Sequence, residues 1–168
     1  MPAKKLFISV GSRFTMDRLI TTVDEFLDNS DEEYQVIAQV GNSTETFKNI
    51  TPTDWLSPEE FNDALINCDI FISHAGMGNI LLAAELKKPI IVMPRTAQNG
   101  EHINNHQVGT VEGLQQQNLT HVIENAEDLK LAVDAINQSQ NSDNDISSCS
   151  EEKRNKLVVY LDKYLNQH

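Results

Sequence analysis

The chain is predicted to be a single α/β domain, a parallel sheet sandwiched between two helical layers. Three observations carry this. Apolar runs of strand length alternate with amphipathic helical stretches along the 168 residues, the pattern of stacked βαβ units. The apolar run Ile70-Phe71-Ile72-Ser73-His74 leads into Ala75-Gly76-Met77-Gly78-Asn79, a glycine pair that opens a helix, and a further apolar strand follows at 89–93. Polar, turn-forming residues follow several of the strands, so loops converge at the carboxyl ends, where open α/β sheets bind ligands.

The elements follow in order. Leu6-Phe7-Ile8-Ser9-Val10 is a buried-strand run that stops at Gly11, and Met16, Leu19, Ile20, Val23, Phe26 and Leu27 then recur at helical spacing. Residues 29–33 are a polar loop and 34–40 a second strand, ended by Gly41-Asn42-Ser43. Residues 44–56 are ambiguous, with one short strand before Pro52 or around Trp55. Ser57-Pro58-Glu59-Glu60 is a helix start, with a capping serine, proline at the first helical position and acids in the first turn. That helix turns Phe61, Ala64 and Leu65 inward and ends near Asn67. A strand at 69–74, a helix at 78–86 and a strand at 89–93 come next. After a loop at 96–100, a helix is expected over 102–117, a short strand over 121–123 and a helix over 126–137. Residues 138–150, rich in Ser, Asn, Asp and Gln, are read as a flexible linker. An amphipathic helix is expected over 151–166, within a C-terminal segment 151–168. Residues 1–137 then form one Rossmann-like three-layer unit.

Composition excludes some functions. Net charge is −12, and a nucleic-acid partner would need a basic footprint instead. Cys68 and Cys149 are far apart and match no metal spacing, as in a cytosolic chain without structural disulfides. No run approaches the roughly 18 apolar residues that span a bilayer. Met1-Pro2-Ala3-Lys4-Lys5 enters a strand directly, so no signal peptide is expected.

The glycine turn is the main chemical signal. A helix opening at Gly76 and Gly78 presents the N–H groups of Met77, Gly78 and Asn79 and the positive end of the helix dipole, which suits a phosphate. A tight strand-to-helix turn alone would also explain the glycines. His74 reads either as a packed strand-end histidine or as a ligand contact. The amides and acid of Glu101, His102, Asn104, Asn105, His106 and Gln107 suit either an exposed helix start or the hydroxyls of a sugar.

Taken together, Val10-Gly11-Ser12, Asp69 through Gly76, Lys88-Pro89-Ile90-Ile91-Val92-Met93-Pro94 and Gly100-Glu101-His102-Ile103-Asn104-Asn105-His106-Gln107 resemble the C-terminal, donor-binding half of family 28 glycosyltransferases. The likeness covers roughly residues 5–137. It is strongest to split enzymes in which this half is a separate chain: bacterial exopolysaccharide and capsule pairs, and the eukaryotic dolichol-pathway UDP-GlcNAc transferase.

The resemblance implies one half of a GT-B fold and a set of donor contacts. Gly76, Met77, Gly78 and Asn79 would cradle a diphosphate, with Asn79 adding a side-chain donor. Gly11, Ser12 and Arg13 would lie at the interdomain cleft, and Arg95 would help neutralise the leaving diphosphate. Gln107 matches the glutamine that contacts the donor sugar, and Asn104 stands where an aspartate is usual, with Glu101 and His106 beside them. The stretch Trp55-Leu56-Ser57-Pro58 would take the nucleobase through its backbone. A ribose-binding glutamate is replaced by Leu82, so either Glu85, one turn on, substitutes or the ribose is recognised differently. His74 and Glu101 are weak catalytic candidates, and the general base is not identified.

The implied chemistry is hexosyl transfer from a UDP-sugar to a lipid-linked acceptor. The resemblance implies a leaving UDP stabilised by helix dipole and hydrogen bonds, with no essential metal or other cofactor, and the lack of an Asp-x-Asp pair at a strand end agrees with it. A complete GT-B enzyme needs two such domains, and this chain has room for one. A membrane-anchored acceptor-domain protein is therefore the expected partner, holding this cytoplasmic chain peripherally at the inner face of the membrane. The helix over 151–166 would dock on that partner or pack on its own domain. Self-association of the isolated chain is the remaining alternative assembly. A non-catalytic nucleotide-sugar-binding module and a UDP-sugar 2-epimerase-like half are the alternative functions.

Overall fold

The computed structural model describes residues 2–11, 14–116, 120–141 and 147–167. Six strands form one sheet, all parallel: β1 (Lys4–Ser9), β2 (Tyr34–Gln39), β3 (Pro52–Thr53), β4 (Ile70–His74), β5 (Ile90–Met93) and β6 (His121–Val122). Their order across the sheet is β3-β2-β1-β4-β5-β6. The helices are α1 (Asp17–Asp28), α2 (Pro58–Asn67), α3 (Met77–Glu85), α4 (His106–Gln116), α5 (Ala126–Asn141) and α6 (Ser147–Gln167).

Strand alternation divides the core into two halves. Leu6 and Ile8, Ile70 and Ile72, and Ile91 and Met93 pack with α1 and α5 on one face. Phe7, Phe71, Ile90 and Val92 pack with α2, α3, α4 and α6 on the other. Phe7 stacks on Phe71, their ring centroids 5.1 Å apart, and Phe61 of α2 meets both edge-on. A central strand buried on both faces must be apolar throughout, which is why these runs lack polar alternation.

The predicted cap of α2 is formed. Ser57 Oγ accepts from the Glu60 N–H, while a Glu60 carboxylate oxygen accepts from the Ser57 N–H at 2.8 Å. The ambiguous stretch resolves into the two-residue strand β3, paired with Ala38 and Gln39.

Two expectations change, and one left open is decided. Helix α4 begins at His106 rather than 102, because residues 96–105 are held as a loop by side-chain bonds described below. Helix α5 continues to Asn141 and α6 begins at Ser147; of the predicted linker, only 142–146 lies outside the described residues. Helix α6 packs on its own domain beside α3, with Leu157 and Leu161 buried in the core half that holds Phe7 and Phe71. Of the two placements expected for this helix, packing on its own domain is the one observed for Leu157 and Leu161.

Candidate functional site

Strand order reverses between β1 and β4, so the crevice at their carboxyl ends is the topological switch point of the sheet. Ser9 and Ser73 are register partners there, and both are fully buried. Each hydroxyl ties down the loop that follows it. Ser9 Oγ accepts from the Gly11 N–H at 3.2 Å, and Ser73 Oγ accepts from Asn79 Nδ2 at 2.7 Å.

The imidazole of His74 fills the gap between the two loops. A Cβ on Gly11 would lie 2.5 Å from His74 Nε2, and one on Gly76 would lie 2.3 Å from Cε1. Gly11 also has φ +79°, a left-handed conformation that a side chain opposes. His74 Nδ1 accepts from the Gly76 N–H at 3.3 Å, so the neutral ring carries its proton on Nε2. Burial, with the nearby charges of Arg95 and His102 adding to it, pushes this histidine down to about 3. It is neutral at physiological pH and too weak a base to deprotonate an acceptor hydroxyl.

Helix α3 starts at Met77 on this platform. Gly76 is its N-cap in extended conformation and no side chain caps it. The first intrahelical bond runs from Ile80 N to Gly76 O. The N–H groups of Met77, Gly78 and Asn79 are therefore left without intrahelical acceptors. A Cβ on Gly78 would meet nothing within 4 Å, so the space above these donors is open. One N–H of the Asn79 amide is spent on Ser73, which leaves its second N–H and the backbone N–H to a ligand.

The β5–α4 loop differs from expectation. Arg95 is 2% exposed. Its guanidinium donates to the carbonyls of Val10, Phe14 and Thr15 in the β1–α1 loop and of Glu101 in its own. Burial lowers its pKa from the usual arginine value, opposed by Glu101. The expected cleft cation is thus a buried clasp. Glu101 accepts a two-pronged pair from Arg18, Nε to Oε1 at 3.0 Å and Nη2 to Oε2 at 2.9 Å, and also the Thr96 N–H at 3.1 Å. Its carboxylate is occupied by these partners, so it is not a free acid–base group. Arg18 was not singled out in the sequence; it lies 83 positions from Glu101, and no local signal links the two.

The amides of this loop are also partly committed. Asn105 Oδ1 accepts from Ala97 N at 2.9 Å, and Asn104 Oδ1 from His106 N at 3.1 Å, a turn-forming bond that leaves the Asn104 NH₂ for a ligand. His106 is exposed at the first position of α4. Gln107 Oε1 accepts from Arg95 N at 3.1 Å. Phe14 and His102 rim the crevice with ring centroids 5.8 Å apart, and the Arg95 guanidinium lies 5.8 Å from the Phe14 centroid.

The structure brings Gly11, His74, Gly76, Met77, Gly78 and Asn79 together at the switch point, with the β5–α4 loop clasped to the β1–α1 loop alongside. Ser12 and Arg13 lie outside the described residues. Glu85 is exposed at the last turn of α3, about 12 Å along the helix from Met77 at 1.5 Å per residue, and Leu82 packs against the core. Both therefore stand apart from the turn. In the proposed base segment, the Leu56 N–H donates to Gln39 Oε1 at 3.0 Å and the Ser57 N–H to Glu60, so neither is free to read a base edge. A groove of about 470 Å³ opens elsewhere, on the flank of β1 and β2 beside α2, and belongs to the amino-terminal half of those strands. No group of three or more His, Cys, Asp or Glu among the described residues is arranged to hold a metal. No helix among them is long and apolar enough to cross a membrane.

Solved structures share this architecture. The glycosyltransferase of kitacinnamycin superposes with TM-score 0.62 at 18% identity, over 94% of this chain and 38% of that one. MurG of Acinetobacter baumannii gives 0.57 at 14% identity, over 96% of this chain and 49% of that one. The Streptomyces sp. SF2575 glycosyltransferase SsfS6, complexed with thymidine diphosphate, gives 0.52 at 14% identity, over 95% of this chain and 37% of that one. At these identities the likeness is one of fold, that of one half of a GT-B enzyme, and this chain spans less than half the length of each. A search of curated proteins finds no match. The sequence profile of the glycosyltransferase family 28 C-terminal domain matches residues 5–160, from β1 into α6, and the chain belongs to that family.

Proposed function

We propose that this chain is the donor-binding subunit of a two-component glycosyltransferase. It transfers a hexose from a UDP-sugar to a lipid-linked acceptor in exopolysaccharide or capsule synthesis. The observation that carries the reading is the open turn at the switch point, where Met77, Gly78 and Asn79 present backbone N–H groups at the N-terminus of a nine-residue helix. Such a terminus favours an anion through its donors and its dipole. The bound nucleoside diphosphate of the SsfS6 neighbour supports the same assignment.

The chemistry follows from which charge develops. As the glycosidic bond breaks, negative charge builds on the β-phosphate oxygen of the leaving UDP. Preorganised N–H donors stabilise that charge without reorganising, so no bound metal is required by this reading. The acceptor hydroxyl still needs a base. His74 is neutral and weakly basic and Glu101 is paired, so the base is assigned to the partner. That partner is a membrane-anchored protein supplying the acceptor-binding half, and it holds this chain at the inner face of the membrane.

Calorimetry tests the donor site. UDP or a UDP-sugar is expected to bind without added Mg²⁺, weakly in the isolated chain. Failure of UDP, UDP-GlcNAc, UDP-galactose and UDP-glucuronate to bind, alone or with the partner, rejects the donor site. Binding without transfer of radiolabelled sugar to lipid in the presence of the partner returns a non-catalytic nucleotide-sugar module.

A further inference from the structure

Two loops distant in sequence form one hydrogen-bonded body beside the open turn. The Arg95 side chain reaches the carbonyls of Val10, Phe14 and Thr15 from beneath, and that of Glu101 within its own loop. Arg18, on α1, closes the body from the other side by bonding both Glu101 oxygens and the carbonyl of Pro94. A planar guanidinium can fork to several carbonyls at fixed angles, which a single ammonium cannot. The side chains of the diphosphate turn bond elsewhere, Asn79 to Ser73 and His74 to Gly76.

This body dictates how Gln107 is presented. Its carboxamide oxygen is held by the backbone N–H of Arg95. Turning the amide over would set NH₂ against N–H, so the orientation is fixed by that bond. The bond leaves Nε2 with its two N–H donors, and one lone pair on Oε1, for a ligand. A donor of this kind is matched by a hydroxyl oxygen or another acceptor on the sugar.

We infer that Arg95, acting with Glu101 and Arg18, is a positioning residue for the sugar end of the donor site: it fixes which way the Gln107 amide is turned, and none of the clasp's hydrogen bonds given above reaches the N–H groups of the diphosphate turn. The inference rests on the donor-site reading above.

Calorimetry of the full chain compares UDP with UDP-GlcNAc, UDP-glucose, UDP-galactose and UDP-glucuronate. Wild type is expected to bind at least one of these sugars more tightly than UDP. Arg95→Lys should hold UDP affinity within about threefold and cut the gain from the sugar by about tenfold, the signature of a contact specific to one part of a ligand. In a Gln107→Ala background, Arg95→Lys should add no further loss, because residues acting through one group are not additive. Additive losses, an unchanged sugar gain, or an equal fall for UDP and UDP-sugar would each overturn the inference. So would a wild type that binds UDP but gains nothing from any sugar.

Amide exchange on the unliganded chain gives a readout separate from nucleotide binding. Arg95→Lys should speed exchange across 94–107 and 14–16 together and leave β4 and α3 unchanged. If wild type binds no nucleotide, the donor-site reading fails, and the sugar-positioning role fails with it. Exchange then still judges the clasp, and unchanged protection in both loops shows that Arg95 does not hold them.

Discussion

The turn between β4 and α3 and the loop between β5 and α4 lie side by side, and they use their polar groups in opposite ways. The turn is poor in polar side chains, yet it leaves three backbone N–H groups unpaired and open space above Gly78. The loop is rich in charged and amide side chains, and most of them hold the loop itself. Arg95, Glu101, Asn104 and Asn105 all bond backbone or each other. A ligand-ready surface here is therefore made by the backbone, and side-chain density marks where a long connection needed internal support.

The sharpest way to break this contrast is at the histidine platform beneath the turn. Gly11→Ala combines a left-handed φ with a contact of 2.5 Å to His74. Strain and overpacking together should cost about 3 kcal/mol of unfolding free energy in urea. Gly11→Ala with His74→Ala should recover the part due to contact. If the single variant is as stable as wild type, the imidazole does not occupy this gap.

The pH dependence of stability comes next in size. His74 is pushed down to about 3 in the fold and titrates near 6.5 when unfolded. Between those values the unfolded chain binds more protons, so lowering the pH favours unfolding. The contribution is complete above about pH 6.5 and declines below it by about 1.4 kcal/mol per unit, or about 2 kcal/mol by pH 5. Urea unfolding of wild type and His74→Asn should converge as pH falls from 7 to 5. Parallel curves would show that the ring is solvated and titrates normally.

Much of this was legible in sequence, and the rest was not, for definite reasons. Continuous apolar runs of strand length identify β1, β4 and β5 as buried on both faces, with Phe7 and Phe71 facing one way and Leu6, Ile8, Ile70 and Ile72 the other. The cap at Ser57 is a local motif read over four residues. Glycines before a helix identify the turn. The roles of Arg95 and Glu101 depend on partners at Val10, Phe14 and Arg18, about 80 positions away, and no short pattern encodes such a bond. Helix α4 starts late because Asn104 forms a local turn that competes with helix, and Asn105 reaches back eight residues to the Ala97 N–H.

Breaking the clasp should have a smaller effect than disturbing the platform. Glu101→Gln keeps shape but removes the charge that meets Arg18. A fully buried pair would lose 3–5 kcal/mol, but the Arg18 side chain is 31% exposed and can turn to water. The expected loss is about 1–2 kcal/mol by chemical denaturation. A loss under a few tenths would mean that the backbone alone holds the loop.

The smallest effect on stability is the one that separates ligand binding from folding most cleanly. Gly78 sits inside the first turn of α3, where a Cβ would contact nothing. Replacing a helical glycine with alanine usually stabilises by about 0.5–1 kcal/mol, because glycine loses more backbone freedom on folding. Gly78→Ala should therefore raise the unfolding midpoint slightly. The added methyl group stands among the N–H donors assigned to the diphosphate, so UDP affinity should fall. Gly78→Val should abolish binding while the chain stays folded, at a modest cost in helix propensity. Opposite signs for stability and affinity are what a backbone cradle requires: the glycine is favoured by the ligand and disfavoured by the fold. If Gly78→Ala gains stability with UDP affinity unchanged, the donors at Met77 and Asn79 do not lie against a phosphate, and the contrast between the open turn and the self-bonded loop loses its functional meaning.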